Sequence, residues 1–207
     1  MESKSHWEQV YQTKAPDAVS WYAPHLETSL KLVQQATQDK NAAIIDVGGG
    51  EATLVDDLLD HEYERISVLD ISQTAIDVAR KRLGAKGAIG TKVAWYCSDI
   101  TTATLPESYF DVWHDRAVFH FLTSQEDRQK YVRQVMRSVK HGGHVIISTF
   151  GPEGPEKCSG LDVVKYDAGS LHTEFGKTFQ LIESSTEIHQ TPFGTTQQFL
   201  YCYCRME

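Results

Sequence analysis

From residue 42 onward the chain alternates short apolar runs with amphipathic stretches. β-rich runs fall at 43–47 (AIIDV), 66–70 (ISVLD), 92–96 (KVAWY), 109–114 (YFDVWH) and 144–150 (HVIISTF). Between them, 51–60, 73–83 and 125–139 have helical spacing. In "ISQTAIDVARKRL", Ser72 is placed to cap the helix, and Ala75, Ile76, Ala79 and Leu83 form one face. In "SQEDRQKYVRQVMRSVKHGG", Ser124 caps, and Val132, Val135, Met136 and Val139 share a face. The double glycine there is expected to stop the helix. Strand and helix in this rhythm predict a doubly wound α/β fold with parallel strands. The rhythm breaks at the end, where 178–188 and 195–204 are two β-like runs joined by "HQTPFGTT". Such a pair is expected as an antiparallel hairpin at one end of the sheet. A mostly parallel, seven-stranded Rossmann-like sheet follows. Residues 1–40 read as a helical and aromatic cap, 41–150 as the core, and 151–207 as a cover loop, a helix and the hairpin, all in one domain.

Composition narrows the function. The chain has 207 residues, 41% of them hydrophobic and 23% charged, enough for one ordinary globular core. A formal net charge of −8 and the lack of a basic stripe argue against a nucleic-acid partner. No run nears the roughly 18–20 apolar residues of a bilayer span, and the first thirty residues contain Glu2, His6, Glu8 and Asp17 in place of a leader's apolar stretch. A cytoplasmic protein without a membrane partner, monomeric or weakly dimeric, is expected. Four cysteines (Cys97, Cys158, Cys202, Cys204) do not form a disulfide framework, and the nine histidines show no metal-ligand spacing, so no metal is expected.

The chemistry is concentrated in "IIDVGGGEA", residues 44–52. In an open parallel sheet, ligands bind beyond the carboxyl ends of the strands, and glycine there admits positive φ and close approach. A nicotinamide fingerprint needs glycine at the sixth position counted from Gly48, where Thr53 stands; this disfavours an oxidoreductase. Instead Asp46 precedes Gly48 by two residues, and Asp70 closes the next strand. A carboxylate facing the glycine loop suits a cationic ligand end, and one at Asp70 suits both hydroxyls of a ribose. A nucleoside with a cationic tail is implied, a description that S-adenosylmethionine meets.

"IIDVGGGEATL", "ISVLDIS", "WYCSDIT", "FDVWHDRAVFHFL" and "VKHGGHVIISTF" resemble the ordered motifs of class I S-adenosylmethionine-dependent methyltransferases, over about residues 40–150. The resemblance implies that Asp46, Gly48, Gly49 and Gly50 cradle the methionyl end. It implies that Asp70 holds the ribose with Ile71 beside the adenine, that Asp99 bonds the adenine amine, and that Ile100 packs on the ring. Asp115 is implied near the methionyl end and the substrate mouth. Ala52 stands where the family has a third glycine, and His141 where proline is usual.

The prefix "HWEQVYQ…AVSWYAPHLE" is similar to the W-x-x-x-Y…W-Y opening of a subgroup that includes lysine methyltransferases acting on citrate synthase and elongation factors. Trp7, Tyr11, Trp21 and Tyr22 are thereby implied near the cofactor, where aromatic faces attract a sulfonium or ammonium. The expected reaction is direct displacement of the methyl group onto a nucleophile, with release of S-adenosylhomocysteine. The acceptor is expected to be a protein lysine or other amine; the alternatives are a small carboxylate or thiol, or a cofactor-binding module without transferase activity. If a proton must leave the acceptor, Asp115 and His120 are the nearest candidate bases.

Overall fold

The computed structural model describes residues 2–85, 87 and 92–207; all counts and absences below refer to those residues. The chain opens with helices α1 (Glu2–Thr13) and α2 (Glu27–Ala36). Alternation follows: β1 (Ala43–Val47), α3 (Leu54–Asp60), β2 (Arg65–Asp70), α4 (Gln73–Gly84), β3 (Ala94–Cys97), β4 (Phe110–Arg116), α5 (Gln125–Ser138) and β5 (Val139–Phe150). A small ribbon of β6 (Lys157–Cys158) and β7 (Leu161–Asp162), helix α6 (Ala168–Phe175), and the long pair β8 (Phe179–Gln190) and β9 (Thr196–Met206) complete it.

Seven strands make one sheet in the order β3-β2-β1-β4-β5-β9-β8. The first five pair in parallel, and β9 is antiparallel to both β5 and β8. This is the Rossmann-like sheet with a terminal hairpin that the periodicity predicts. The burial of β1 explains its composition: all five residues of AIIDV are buried, as befits a central strand covered on both faces. At the edge, β8 alternates, with Ile182 and Ile188 left exposed among polar neighbours.

Two apolar layers flank the sheet. Trp113, Phe119, Tyr131, Phe175 and Phe179 fill the layer under α5 and α6. Val33, Ile44, Leu54, Leu58, Tyr63 and Leu83 fill the other, under α2, α3 and α4. Ser72 and Ser124 cap α4 and α5 by accepting from Ala75 N and Asp127 N.

Two local expectations are corrected. Met136 is 42% exposed, and Tyr131, wholly buried, occupies the inner face of α5 instead. The double glycine does not stop α5, which ends at Ser138 and passes directly into β5. Pairing of Val139 with Phe110 pulls the chain into the sheet there, and Gly142 and Gly143 sit within the strand at a register shift. At Gly143 a Cβ would come 2.8 Å from Lys140 O, so only glycine fits the irregularity.

Candidate active site

The first strand ends in a turn whose glycines are required for different reasons. Gly48 has φ +73° and donates its N–H to Leu69 O at 2.7 Å, joining the ends of β1 and β2. Gly50 has no room for a side chain: a Cβ would lie 2.6 Å from Asp70 Oδ2, which instead accepts Gly50 N–H at 3.0 Å. Asp70 Oδ1 accepts Ser72 N–H at 2.8 Å, so one carboxylate ties the glycine turn to the start of α4. Burial pushes this carboxyl up to about 6, opposed by those two N–H donors.

A cavity of about 280 Å³ opens where β1 to β4 end. Gly48, Asp70, Ile71, Asp99 and Ile100 line it, as do Trp7, Tyr11 and Trp21 from the prefix. Asp99 is oriented by its own turn, Oδ1 accepting from Thr101 N and Oγ1 at 2.8 and 2.7 Å. The aromatic wall is built edge to face: Trp7 lies 5.7 Å from Trp21 and 5.1 Å from Phe121, centroid to centroid. α1 is held over the cavity by Glu8, whose carboxylate accepts Gln73 N and Thr74 N at the first turn of α4. The loop carrying Trp21 is pinned from the other side, Arg116 Nη1 donating to Trp21 O and His189 Nε2 to Ser20 O.

Asp46 and Tyr22 line a smaller adjoining cavity of about 40 Å³, which shares Tyr11, Trp21, Gly48 and Arg116 with the larger one. Gly49 stands behind its wall, where a Cβ would meet Asp46 Oδ2 at 2.3 Å. Here the structure adds a residue the periodicity does not single out. Glu51 is 7% exposed, and neither of its carboxylate oxygens has a partner. Burial pushes it up to about 7, with Arg82 pulling against. Its one legible signal is that it is the charged residue inside the glycine turn. Arg116, Phe121 and Cys158 are further additions to the cavity wall, brought in by elements distant in sequence.

Asp115 and His120 differ from expectation, for neither lines either cavity. Successive residues of a strand face opposite sides. His114 and Arg116 face α2 and the cap, whereas Asp115 shares the Trp113 side and lies against α5. There Asp115 is fully buried and accepts Val118 N, Phe119 N and the Tyr131 hydroxyl at 2.8, 3.1 and 2.6 Å. Arg116 is not its ion-pair partner; the guanidinium lies over Phe199 and 3.6 Å from Glu187. His120 is also fully buried, its Nδ1 accepting Phe150 N–H at 3.2 Å. Burial lowers it to about 3, so it is a poor base at neutral pH. Two groups in the wall of the larger cavity stay protonated: burial pushes the Tyr11 phenol well above its usual range and the Cys158 thiol up to about 12.

The residues fit a ligand with hydroxyls at one end and positive charge at the other. Asp70 and Asp99 stand at the larger cavity, and the smaller one brings Asp46 Oδ2 and both Glu51 oxygens, buried and without partners, as unpaired carboxylates await a cation. S-adenosylmethionine presents those groups in that order.

Comparison with known proteins agrees. Residues 45–147, close to half of the chain, match the model of a methyltransferase domain. The chain is 25% identical over 144 residues to the eEF1A lysine and N-terminal methyltransferase of Mus musculus, covering 70% of this chain and 20% of that protein. It is 26% identical over 149 residues to the ubiquinone/menaquinone biosynthesis C-methyltransferase UbiE of Vibrio parahaemolyticus, covering 71% of this chain and 54% of that one. It therefore spans about a fifth and about half of the lengths of these two relatives. Its fold is similar to that of the N-methyltransferase NodS from Bradyrhizobium japonicum in complex with S-adenosylhomocysteine. The TM-score is 0.72 at 15% identity, over 96% of this chain and 97% of that one. The glycine turn, the buried carboxylates and the matched segment agree: residues 45–147 are similar to a methyltransferase domain, and the chain has the Rossmann-like fold of a solved methyltransferase.

Proposed function

We propose that the chain transfers a methyl group in one in-line displacement to an amine acceptor, protein lysine included, with the cofactor spanning both cavities. The observation that carries this reading is that the two cavities share Gly48 in their walls, with Asp70 lining one and Asp46 and Glu51 the other. Asp70 would accept the ribose hydroxyls, Asp99 the adenine amine, and Ile71 and Ile100 the ring faces. Asp46 and Glu51 would hold the ammonium of the methionyl end. The bound cofactor supplies an activated methyl on a sulfonium; the protein aligns the acceptor and excludes water. Trp7, Tyr11, Trp21 and Phe121 would supply aromatic faces to the positive charge, an attraction of about 0.5–2 kcal/mol.

One feature favours an amine: the first relative above is named for lysine and N-terminal methylation. A small-molecule acceptor is the second reading, favoured by the cover that α1 gives the cavity through Glu8.

The test is to incubate the protein with methyl-labelled cofactor and cell extract and to separate products by size. Label in a protein band supports the first reading, label in small molecules the second, and label in neither contradicts transferase activity toward acceptors in that extract.

Cofactor affinity should also depend on pH in a set direction. The ammonium at Glu51 and the ribose hydroxyls at Asp70 both favour the ionised carboxylate, and protons compete with them below the folded pKa values, about 6 for Asp70 and about 7 for Glu51. The Kd for S-adenosylhomocysteine is therefore expected to fall from pH 5 to pH 8, by up to about tenfold per pH unit for each group still titrating. Calorimetry across that range checks it; a flat profile would contradict the assignment of both residues.

A further inference from the structure

The strongest unexplained feature is a buried chain of polar side chains beneath the glycine turn. Asp46 Oδ1 lies 2.7 Å from His114 Nδ1, His114 Nε2 lies 2.9 Å from Ser29 Oγ, and Ser29 Oγ lies 3.2 Å from Tyr201 Oη. The members come from β1, β4, α2 and β9, and none is more than 2% exposed. Serine, histidine and aspartate at these distances form the constellation of a nucleophilic triad. A nucleophile must reach a substrate, and Ser29 lines neither cavity. The chain therefore has a different task.

Asp46 Oδ1 is a carboxylate oxygen and accepts, so Nδ1–H of His114 donates to it. With Nδ1 engaged by Asp46 and Nε2 by Ser29, which Tyr201 contacts in turn, the ring orientation of His114 is held. One Asp46 oxygen is held by this arrangement. The other, Oδ2, has no partner and belongs to a side chain in the wall of the smaller cavity beside Glu51. Gly49 packs so closely on Oδ2 that it leaves no room for a Cβ, which further restricts rotation of the carboxylate.

His114 itself borders the smaller cavity beside Asp46, and we infer that it is a positioning residue for cofactor binding: it acts through Asp46, holding Oδ2 toward the methionyl end. Ser29 and Tyr201 in turn hold His114. This rests on the adenosylmethionine reading of the two cavities. It also gives the α2 segment of the cap and the terminal hairpin a share in the cofactor site that neither has by contact.

The test compares His114→Gln with His114→Asn. Asparagine places an amide nitrogen near the Nδ1 position and can still donate to Asp46; glutamine places it near Nε2 and cannot. Two ligands are titrated by calorimetry at neutral pH: S-adenosylhomocysteine, and 5′-methylthioadenosine, which lacks the amino-acid end. His114→Gln is expected to weaken S-adenosylhomocysteine at least tenfold while changing methylthioadenosine less than twofold. His114→Asn is expected to stay within threefold of wild type for both.

Equal losses for both ligands in His114→Gln, or no loss for either, would overturn the inference. Should His114→Gln not fold, Ser29→Ala decides: a selective loss of about threefold for S-adenosylhomocysteine supports it, and an unselective or absent loss overturns it. Wild-type protein that bound neither ligand would instead overturn the cofactor reading beneath it.

Discussion

Replacing Asp70 with alanine is expected to weaken S-adenosylhomocysteine binding about 100-fold, or about 2.7 kcal/mol. Hydrogen bonds to a charged group contribute roughly 1.5–3 kcal/mol each, and by the proposed role this carboxylate accepts two ribose hydroxyls. It also accepts Gly50 N–H and Ser72 N–H, so alanine additionally loosens the glycine turn. Asp70→Asn separates the two contributions, because the amide oxygen can keep one backbone donor while the charge is lost. Calorimetry should rank the variants wild type, then Asn, then Ala. An alanine variant within threefold of wild type would mean that the nucleoside end lies elsewhere.

The second large effect is on stability. Asp115→Ala leaves three buried donors without an acceptor: Val118 N, Phe119 N and the Tyr131 hydroxyl. An orphaned buried donor costs about 1–3 kcal/mol. Part of that is offset, because burying the carboxylate is itself unfavourable, as its rise to about 7 shows. A net loss of about 3 kcal/mol is expected, lowering Tm by roughly 6–12 °C in a chain of this size. Asp115→Asn, which keeps one acceptor oxygen, should lose about half as much. Both variants, measured below their melting range, should bind S-adenosylhomocysteine within a few-fold of wild type. Unchanged Tm with lost methyl transfer would return Asp115 to the reacting groups.

The contrast between Asp70 and Asp115 shows how far the site is legible in the chain. Asp70 ends β2 and Asp115 is the last residue but one of β4; both stand beside the expected ligand position, and as letters they are equivalent. Asp70 reaches the cavity because the glycine turn after β1 closes directly onto it. Asp115 is carried to the opposite face by the pleat of β4, and only the placement of α5 gives it Tyr131 as a partner. The parity of a strand relative to its neighbours is a property of the assembled sheet. Arg116 shows the same limit: beside Asp115 in sequence it suggests a local ion pair, yet its partners Trp21 and Glu187 are brought in by the cap and the hairpin.

What the sequence determined by itself is local. Alternation with periods of two and 3.6 specified the strands, the helices and their order, since hydrophobic burial depends on which face each residue presents. The glycine run and the acids at two strand ends picked out the turn that borders the cavity, because backbone with positive φ and close approach has few other solutions. Only the tertiary structure decided which acids face the cavity, where β5 begins, and that Asp46 and His114, 68 residues apart, share a hydrogen bond. Those outcomes depend on packing between distant segments, and packing is settled by the whole chain at once.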